Sequence, residues 1–475
     1  MAEALWTWEE LVRATGGVAE GTPAVPIVGF SIDTRAIAPG EAFVALTDKR
    51  DGHEFVPAAF ERGASAAVVR SDYARAPADG ALLRVADPLK GLEAIAHAAR
   101  ARSDARIVAV TGSVGKTGTK EALRACLSRL GQTHAAENSY NNHWGVPLTL
   151  ARMPATSRYG VFEIGMNHAG EITPLAKMVR PHVAIITTVE PVHLQFFESV
   201  EAIAEAKSEI LSGIEPGGTA VLNCDNTFFA LLDERARALG IRVVSFGQSE
   251  AADVRPEVLT LGANGSDVIA RAGKRRVAYR LGAPGAHIAQ NSLAVIAALI
   301  ALDADVDGGV SALASLTAAK GRGARIEVKR ADGAILLVDE SYNANPASMR
   351  SALAAMATVS REQYPRRIAV LGDMLELGEE AGRLHEELKE AVDVAEADLV
   401  FACGPHMQRL FQVLPVAQQG GWANTSDGIE AALVAAVRGG DVVMIKGSLG
   451  SRMAPLVNVL MRSGEKDCVG ADRGA

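Results

Sequence analysis

The chain has 475 residues, of which 48% are hydrophobic and 22% are charged, and its formal net charge is −8 at pH 7. This balance is typical of a globular protein with room for about two to four domains. No dense block of lysine and arginine occurs in the sequence, which argues against a nucleic acid or a membrane surface as the partner.

The cysteines and the N-terminal segment indicate a cytoplasmic protein. Residues 1–17 resemble an amphipathic helix and lack the basic start and apolar centre of a signal peptide. The richest apolar run, LAVIAALIAL at 293–302, has about half the length of a membrane span. We therefore expect a protein that does not insert into membranes. We also expect a monomer. The cysteines form no C-x-x-C pair, and we interpret them as thiols in a reducing compartment: Cys126, Cys224, Cys403 and Cys468.

Strand and helix patterns divide the chain into three α/β units with expected boundaries at 1–104, 105–328 and 329–475. The first contains short alternating strands such as GEAFVAL and predicts a small mixed α/β domain. The second contains the apolar runs RIVAV, GVFEIGM and HVAIITTV, which predict a central parallel sheet of the P-loop ATPase type. The third contains AILLVDE, RRIAVLGD, ADLVFACG and DVVMIKGS, which predict a Rossmann-like domain. We interpret QQGGWAN at 418–424 as a surface turn.

The segment TGSVGKT at 111–117 is a candidate phosphate-binding loop. It follows the strand RIVAV and precedes the helical run KEALRACLSRL, which is the context that such a loop requires. Backbone N–H groups from Gly112 to Lys116 would hold phosphates, and the hydroxyl of Thr117 would bind Mg²⁺. Val110 stands where the general pattern has its first glycine. The alternative is a glycine-rich turn with an exposed lysine.

Two further residues suggest a metal site beside this loop. Glu163 is a carboxylate within the apolar run GVFEIGM, where it is costly unless it is paired or bound to a metal. His193 follows the next strand-like run, in EPVHLQF. The alternatives are a structural salt bridge for Glu163 and an ordinary loop histidine for His193.

Lys207 lies on the apolar face of a predicted helix, EAIAEAKSEILSGI. It is four residues after Ile203 and three before Ile210, so it shares their face. An ammonium group at that position must reach solvent along the surface, pair with an anion or change its chemistry. Reaching solvent is the simplest interpretation.

Two asparagine-rich segments are candidates for binding a sugar or a peptide, because amides both donate and accept hydrogen bonds. The first is ENSYNNHWGVPLTL at 137–150, and the alternative for it is an ordinary turn. The second is VDESYNANPASM at 338–349, where Asp339 or Glu340 could hold a ribose. The alternative for Asn345 is helix capping ahead of Pro346.

Taken together, these motifs resemble the Mur ligases, the ATP-dependent amide-forming enzymes of peptidoglycan precursor synthesis. The loop of that family is usually T-G-[ST]-x-G-K-[ST], which lacks the early glycine and so accounts for Val110. The motifs ENSYNNHWGVPLTL, EIGMNHAGEI, YNANPASM and LGDMLELG are similar to those of one branch, which adds D-alanyl-D-alanine to a UDP-N-acetylmuramoyl-tripeptide. The D-N-P-[RK] motif of the branch that adds lysine or diaminopimelate does not occur in this sequence.

The resemblance implies a role for each matching residue. Asn291 would contact adenine, Arg322 the phosphates, and Glu340, where the family often has aspartate, the ribose. The implied nucleotide-binding residues are Thr111, Gly112, Ser113, Val114, Gly115, Lys116, Thr117, Gly118, Asn291, Arg322 and Glu340. The implied ligands of two Mg²⁺ ions are Thr117, Glu163, His193 and Lys207, the last as a carbamate, and the implied catalytic residues are Lys116, Lys207 and His193.

The implied substrate-binding residues are divided between two regions. Ser31, Thr34 and Arg35 match the segment that holds the UDP end, with threonine where the family usually has serine. The remaining substrate-binding residues are asparagines: Asn138, Asn141, Asn142, Asn343 and Asn345. The loops LGDMLELG and KGSLGS are expected to help form the dipeptide pocket.

The resemblance also implies a mechanism, in which a substrate carboxylate attacks the γ-phosphate of ATP and an amine then attacks the acyl phosphate. Closure of the third domain would exclude water during these steps. Two alternatives stay open. One is another ligase of the superfamily, which adds a different amino acid or adds glutamate to a folate. The other is a non-catalytic nucleotide-dependent switch protein, although the asparagine-rich segment would then have no explanation.

Overall fold

The computed structural model describes residues 4–137, 139–192, 194–262, 264–318 and 320–471, with side chains described up to Ser463 in the last helix. The predicted site residues Asn138 and His193 lie outside the described residues. The chain forms three sheets of five, nine and six strands, each covered by helices. This mixed α/β architecture confirms the predicted fold class.

The first sheet has the strand order β1-β5-β4-β3-β2, in which only the β1–β5 pair is antiparallel. Its first helix begins at a capping box, because Thr7 Oγ1 accepts the N–H of Glu10 and Glu10 Oε2 accepts the N–H of Thr7. The elements are α1 (Trp8–Thr15), β1 (Val18–Glu20), β2 (Gly29–Ser31), β3 (Glu41–Val44), α2 (Val56–Glu61), β4 (Ala66–Arg70), β5 (Ala81–Val85) and α3 (Pro88–Ala101).

The second sheet has the order β14-β13-β12-β11-β10-β9-β6-β8-β7. Strands β6 to β12 are parallel where they pair, and β12, β13 and β14 form an antiparallel extension that the sequence analysis did not identify. The elements are β6 (Arg106–Thr111), α4 (Lys116–Ser128), β7 (Thr133–Ala135), α5 (Gly145–Ala151), β8 (Tyr159–Glu163), α6 (Ile172–Val179), β9 (Val183–Ile186), α7 (Val200–Ser208), β10 (Thr219–Asn223), α8 (Phe229–Ala238), β11 (Arg242–Phe246), β12 (Val254–Gly262), β13 (Gly265–Ala272), β14 (Arg275–Leu281), α9 (Ala286–Ala301) and α10 (Val306–Val310).

The apolar run at 293–302 lies mostly within α9, which packs against the second sheet as part of its core. A helix that is apolar on nearly all sides is expected in such a buried position. None of the helices in the described part of the chain combines the length and the apolar character that a bilayer crossing requires.

The third sheet has the order β15-β16-β20-β17-β18-β19, in which only the β15–β16 pair is antiparallel. The predicted boundary at 328/329 falls within β15, and the domain limits stay predictions. The elements are β15 (Ala324–Arg330), β16 (Gly333–Glu340), α11 (Pro346–Ala357), β17 (Arg366–Gly372), α12 (Ala381–Glu386), α13 (Leu388–Val394), β18 (Leu399–Cys403), α14 (Met407–Val413), β19 (Gln419–Ala423), α15 (Ser426–Ala436), β20 (Asp441–Lys446) and α16 (Ala454–Ala471).

The interpretation of QQGGWAN as a surface turn is wrong, because Gln419–Ala423 is the edge strand β19 and pairs in parallel with β18. The glycines have a packing role there. A Cβ atom at Gly420 would lie 2.7 Å from the ring of Phe401, so the strand can approach that side chain only without one. Glycine in a strand therefore indicated a close approach and not a turn.

The first sheet is attached to the second through α3 and α5. Trp6 Nε1 donates a hydrogen bond to the carbonyl oxygen of Ala151 at 2.8 Å, at the end of α5. The buried guanidinium of Arg100, on α3, donates to the carbonyl oxygens of Val179 and Arg180 beyond α6. These contacts hold the end of α3 near the start of β9. Three residues nearer the start of α3 line the candidate site: Lys90, Glu93 and His97.

Candidate functional site

A cavity of about 1100 Å³ lies where the carboxyl ends of the central parallel strands face α3 and the third sheet. In open α/β sheets this edge is the usual position of a ligand. The phosphate loop, the asparagine-rich segment and the end of β16 all line the cavity. Its walls include the predicted residues Ser113, Val114, Gly115, Lys116, Thr117, Gly118, Asn141, Asn142, Glu163, Asn291, Arg322, Glu340, Asn343 and Asn345.

The predicted phosphate loop has the backbone that such a loop needs. Gly112 and Gly115 have φ angles of 147° and 87°, a region that favours glycine. A Cβ atom at Gly112 would lie 1.9 Å from Thr187 Oγ1, and one at Gly115 would lie 2.6 Å from Asn291 Nδ2. Thr187 Oγ1 lies 2.5 Å from the carbonyl oxygen of Val114, to which it donates. The close fit leaves no room for a side chain at either glycine.

Lys116 begins α4 with its ammonium folded back over the loop. Its Nζ donates to the carbonyl oxygen of Gly112 at 2.6 Å. Burial lowers the pKa of Lys116, the Glu163 carboxylate opposes that shift, and the guanidinium of Arg322 adds to it. The ammonium of Lys116 therefore lies against the backbone of the loop.

Glu163 ends β8 and is only 2% exposed. Its register partner is Val110 on β6, which brings it beside the strand that enters the phosphate loop. Thr117 Oγ1 donates to Glu163 Oε2 at 2.8 Å, and Asn141 Nδ2 donates to Glu163 Oε1 at 2.7 Å. The predicted proximity of Glu163 and Thr117 is thus present in the structure.

The oxygen donors at this point fit Mg²⁺. A hydroxyl and a carboxylate are hard ligands, and Mg²⁺ is usually bound by one or two carboxylates together with substrate phosphates and waters. Groups of three or more His, Cys, Asp and Glu side chains that could hold a metal alone are absent from the described residues. The pair Thr117 and Glu163 therefore suits an ion that arrives with a nucleotide.

Lys207 lies near the end of α7 and is 2% exposed, so the interpretation that its ammonium reaches solvent is wrong. Burial lowers its pKa well below the ordinary lysine value, and the charge of Lys116 lowers it further. None of the described residues donates to or accepts from its Nζ in a hydrogen bond or ion pair. Both effects on the pKa favour the neutral amine.

The asparagine-rich segment is fixed from several sides. The buried Lys120 of α4 donates to the carbonyl oxygen of Ala136 at 2.7 Å, and Asn141 is held by Glu163. Asn142 Oδ1 accepts the N–H groups of Trp144 and Gly145 at the start of α5. The oxygen of Asn142 thus serves the fold, and its amide N–H groups are the donors left for a substrate.

The third sheet contributes an ion pair that the sequence analysis missed. Lys446 ends β20 and is nearly fully buried, and its Nζ lies 3.3 Å from Glu340 Oε2. It also donates to the carbonyl oxygen of Asn343. Asn345 caps α11 through a capping box with Ser348, so the structural interpretation of Asn345 is correct, although the residue also lines the cavity.

Arg322 connects the central and third sheets across the cavity. Its Nη2 donates to Ser139 Oγ at 3.0 Å, and its guanidinium carbon lies 4.1 Å from the ring centre of Tyr342. The sequence analysis identified Arg322 but not its two partners. Arg322 thus joins the loop after β7 to the turn after β16.

Ser31, Thr34 and Arg35 do not line this cavity. Ser31 is buried and its Oγ donates to the carbonyl oxygen of Asp33. Arg35 is exposed and pairs with Asp33 at 2.7 Å, and Thr34 accepts from Arg62 through its carbonyl oxygen. A ligand common to these residues and the phosphate loop would have to extend along α3, three of whose residues line the cavity: Lys90, Glu93 and His97.

The cavity residues that were not singled out from the sequence include Thr187, Glu190 and His287. Thr187 and Glu190 lie just after β9, where the general rule for parallel strands places ligand-binding groups. Burial lowers the pKa of His287, which favours the neutral ring. The position just after a strand was the only sequence feature that could have indicated Thr187 and Glu190. Nothing in the sequence around His287 indicated that it lines the cavity.

A phosphate loop with a buried carboxylate and threonine beside it defines a protein that uses a nucleoside triphosphate. Two family models match this chain, the Mur ligase middle domain at residues 110–299 and the Mur ligase, glutamate ligase domain at residues 324–449. The chain belongs to the Mur ligase family, and it is an ATP-dependent ligase, as the sequence predicted.

The relatives cover almost the whole chain. The UDP-N-acetylmuramoyl-tripeptide–D-alanyl-D-alanine ligase of Escherichia coli (strain K12) is 32% identical over 96% of this chain and 99% of its own length. A crystal structure of MurF from Acinetobacter baumannii has a TM-score of 0.82 and 30% identity and covers 96% of this chain and 99% of that one. A MurF ligase from Thermotoga maritima in complex with ADP has a TM-score of 0.77 and 26% identity, over 92% and 98% of the two chains.

Proposed function

We propose that this chain joins D-alanyl-D-alanine to UDP-N-acetylmuramoyl-tripeptide with hydrolysis of ATP to ADP and phosphate, a step of peptidoglycan precursor synthesis. The observation that carries the proposal is the match to ligases of this name along nearly the full length of both chains. The cavity agrees with it, because one continuous space of about 1100 Å³ adjoins a phosphate loop, an asparagine-rich segment and α11.

The reaction requires two anions to meet, since a carboxylate of the tripeptide must attack the γ-phosphate of ATP. The oxygen–phosphorus bond forms as the bond to ADP breaks, which gives an acyl phosphate. Lys116 and the backbone N–H groups of the loop would offset the repulsion and stabilise the transferring phosphoryl group. The amine then attacks the acyl carbon, and inorganic phosphate leaves.

Thr117 and Glu163 would hold Mg²⁺, with His193 and Lys207 as proposed further ligands for a second ion. A metal held there would supply positive charge that offsets the negative charge developing during phosphoryl transfer. The support on this chain is the pairing of Thr117 Oγ1 with Glu163 Oε2 at 2.8 Å, which puts two oxygen ligands side by side.

We propose that Lys207 carries a carbamate formed from carbon dioxide. The neutral amine attacks the carbon of CO₂, a nitrogen–carbon bond forms and one proton is released. Its burial and the nearby charge of Lys116 both lower the Lys207 pKa and so favour the reactive, unprotonated amine. The product is an anion, which would be stabilised by the nearby ammonium of Lys116 and can support a metal.

The substrates would approach from different sides. We propose that the first domain, with Ser31, Thr34 and Arg35, holds the UDP end, and that Asn291, Glu340 and Arg322 hold ATP. The third domain would bring in the dipeptide. The part of the described cavity wall that the third domain supplies is mostly α11 and the residues after β16. Of the two loops expected at the dipeptide pocket, KGSLGS contributes only Lys446 to the wall and LGDMLELG contributes no residue. We further propose that the chain acts as a monomer in the cytoplasm, where ATP is available.

Amine dependence tests the proposal. Purified enzyme receives ATP, Mg²⁺, the UDP-linked tripeptide and either D-alanyl-D-alanine or single amino acids, and ADP and the amide product are measured. We expect ADP release with the dipeptide only. ADP release with a single amino acid, or with a folate and glutamate, would assign another ligase activity. Slow ADP release that does not depend on any amine would assign a nucleotide-dependent switch protein.

A further inference from the structure

Glu190 lies in the loop after β9, directly beside the phosphate loop. Its backbone N–H donates to Ser113 Oγ at 2.9 Å, and Ser113 Oγ donates to the Glu190 carbonyl oxygen at 3.1 Å. The side chain lines the cavity, and Thr188 Oγ1 donates to its Oε1 at 3.2 Å. The backbone of Glu190 is therefore fixed relative to the phosphate loop, while its carboxylate faces the shared space.

The same loop also reaches the third sheet. Leu194 packs against the core of that sheet, and the N–H of Gln195 donates to the carbonyl oxygen of Glu376 at 3.1 Å. Glu190 thus lies at the junction between the part of the cavity that would hold the γ-phosphate and the part that the third sheet encloses. An amine that enters from the third sheet must pass this junction to reach an acyl phosphate.

The wall opposite is formed by α11 and presents small side chains. The residues of α11 that line the cavity are Ala347, Ser348, Ser351 and Ala352. These leave room for a small nucleophile with short side chains, such as a dipeptide of alanine. Arg350 of the same helix is the cation that acts on Glu190 across the cavity.

Among the described carboxylates of the cavity, Glu190 is the least engaged. It accepts a single side-chain hydrogen bond, from Thr188. The others are each held by an ion pair or by two or more hydrogen bonds: Glu93, Glu121, Glu163, Glu171, Asp225 and Glu340. Glu190 is therefore the carboxylate with capacity to bind a cationic ligand.

We propose that Glu190 binds the ammonium group of the incoming dipeptide and accepts a proton from it, so that the amine becomes nucleophilic beside the acyl phosphate. This inference rests on the proposed function. The ammonium gives one proton to the Glu190 carboxylate. The amine nitrogen then forms a bond to the acyl carbon as the carbon–oxygen bond to phosphate breaks, and the second proton leaves with the phosphate. Glu190 returns its proton to solvent through the cavity.

The local electrostatics agree with this role. Burial raises the pKa of Glu190, and the effects of Thr188 and Arg350 that oppose the shift are smaller. A raised pKa makes the carboxylate a better match for an α-amino group, whose pKa is about 8. The charged groups that face the same space from the phosphate side are Lys116, Glu163 and Arg322.

The test is Glu190→Gln, which keeps the side chain's size and its hydrogen bond from Thr188 but cannot accept a proton. The matched control is Glu198→Gln, an exposed glutamate of the same loop. At pH about 7 we expect kcat/KM for the dipeptide to fall about 10²- to 10⁴-fold in Glu190→Gln and to stay unchanged in the control. The deficit is expected to shrink as the pH rises to about 9, because the dipeptide then deprotonates in solution.

Two further measurements separate this role from a structural one. Hydroxylamine is largely unprotonated at neutral pH, so hydroxamate formation from the acyl phosphate is expected to match wild type in Glu190→Gln. Positional isotope exchange in ATP without amine is expected to stay unchanged. A wild-type kcat/KM for the dipeptide in Glu190→Gln, or an equal loss with hydroxylamine, would overturn the inference and leave the proposed function intact. If the wild-type enzyme shows no ADP release that depends on the dipeptide, both the inference about Glu190 and the proposed function are refuted.

Discussion

Gly112→Ala is the substitution for which the structure gives the most definite expectation. The added Cβ atom would lie 1.9 Å from Thr187 Oγ1 and 3.2 Å from the Thr187 Cβ and backbone nitrogen, while Gly112 has a φ angle of 147°. Thr187 would have to rotate its hydroxyl away, and its hydrogen bond to the carbonyl oxygen of Val114 would be lost. The substitution therefore destabilises the loop in two ways. It strains the backbone at residue 112, and it displaces the Thr187 side chain that supports the loop.

The magnitude follows from these two contributions. A non-glycine residue in this backbone region costs about 1–3 kcal/mol. A buried carbonyl or hydroxyl that loses its partner costs about 1–3 kcal/mol more. The sum of about 2–6 kcal/mol exceeds the 1.4 kcal/mol that corresponds to a tenfold change in affinity. If even half of it falls on the nucleotide-competent loop, ADP and ATP binding should weaken by about fivefold to more than 100-fold.

Calorimetric titration with ADP and Mg²⁺ measures the affinity, and urea unfolding measures the stability. Thr187→Ala added to Gly112→Ala should recover part of the loss, because it removes the atom at 1.9 Å but leaves the backbone contact at 3.2 Å. Gly217→Ala is the comparison for the backbone cost alone, since Gly217 also has a positive φ angle, 78°, but has open space around its Cβ position. It should destabilise the fold by about 1–3 kcal/mol and leave the affinity for ADP unchanged. Wild-type affinity in Gly112→Ala would refute the reasoning.

Three other expectations concern separate parts of the molecule. Lys116→Met should lower kcat about 10²- to 10³-fold while circular dichroism stays unchanged, because the variant lacks a cation beside the transferring phosphoryl group; normal turnover would exclude Lys116 from the mechanism. Hydrogen bonds from His53 lower the pKa of Asp51 from 3.8 to about 2, so its contribution to stability is present above pH 3.8 and lost as the pH falls towards 2. The urea midpoint of Asp51→Asn should therefore lie below that of wild type near neutral pH and converge with it near pH 2. Burial raises the pKa of Cys126 to about 12 and that of Cys403 to about 11, so native protein should leave both unmodified by a thiol reagent, as peptide mass mapping would report.

The sequence predicted the elements that depend on local pattern. The strand RIVAV, the glycine loop and the helix after it appear as β6, residues 112–115 and α4. The run GVFEIGM covers all of β8 except its first residue, Tyr159, and the run HVAIITTV contains β9. Both runs continue beyond their strands, because apolar residues also fill the buried loops that follow. The pattern of apolar residues indicates which residues are buried, but it does not indicate where the backbone hydrogen bonds between neighbouring strands end.

Contacts between segments that lie far apart along the chain were harder to predict from the sequence. The position of Lys207 on an apolar face was visible, but whether its ammonium reaches solvent depends on what packs over α7, which the helix pattern does not contain. The edge strand β19 was missed because its two glycines suit a turn equally well, and only the ring of Phe401 makes them necessary. In both cases the deciding neighbour lies far away along the chain.

Strand register explains why the candidate site nevertheless forms from residues that are individually ambiguous. In the central sheet Val110 pairs with Glu163, and in the third sheet Glu340 pairs with Lys446, so each pair is brought to the same edge at the carboxyl end of its strands. A slip of one residue between β16 and β20 would turn one partner to the opposite face and separate the buried charges. Because an unpaired buried charge is strongly destabilising, the ion pair in turn favours the correct register. The same contacts that line the cavity therefore also select the strand pairing that creates it.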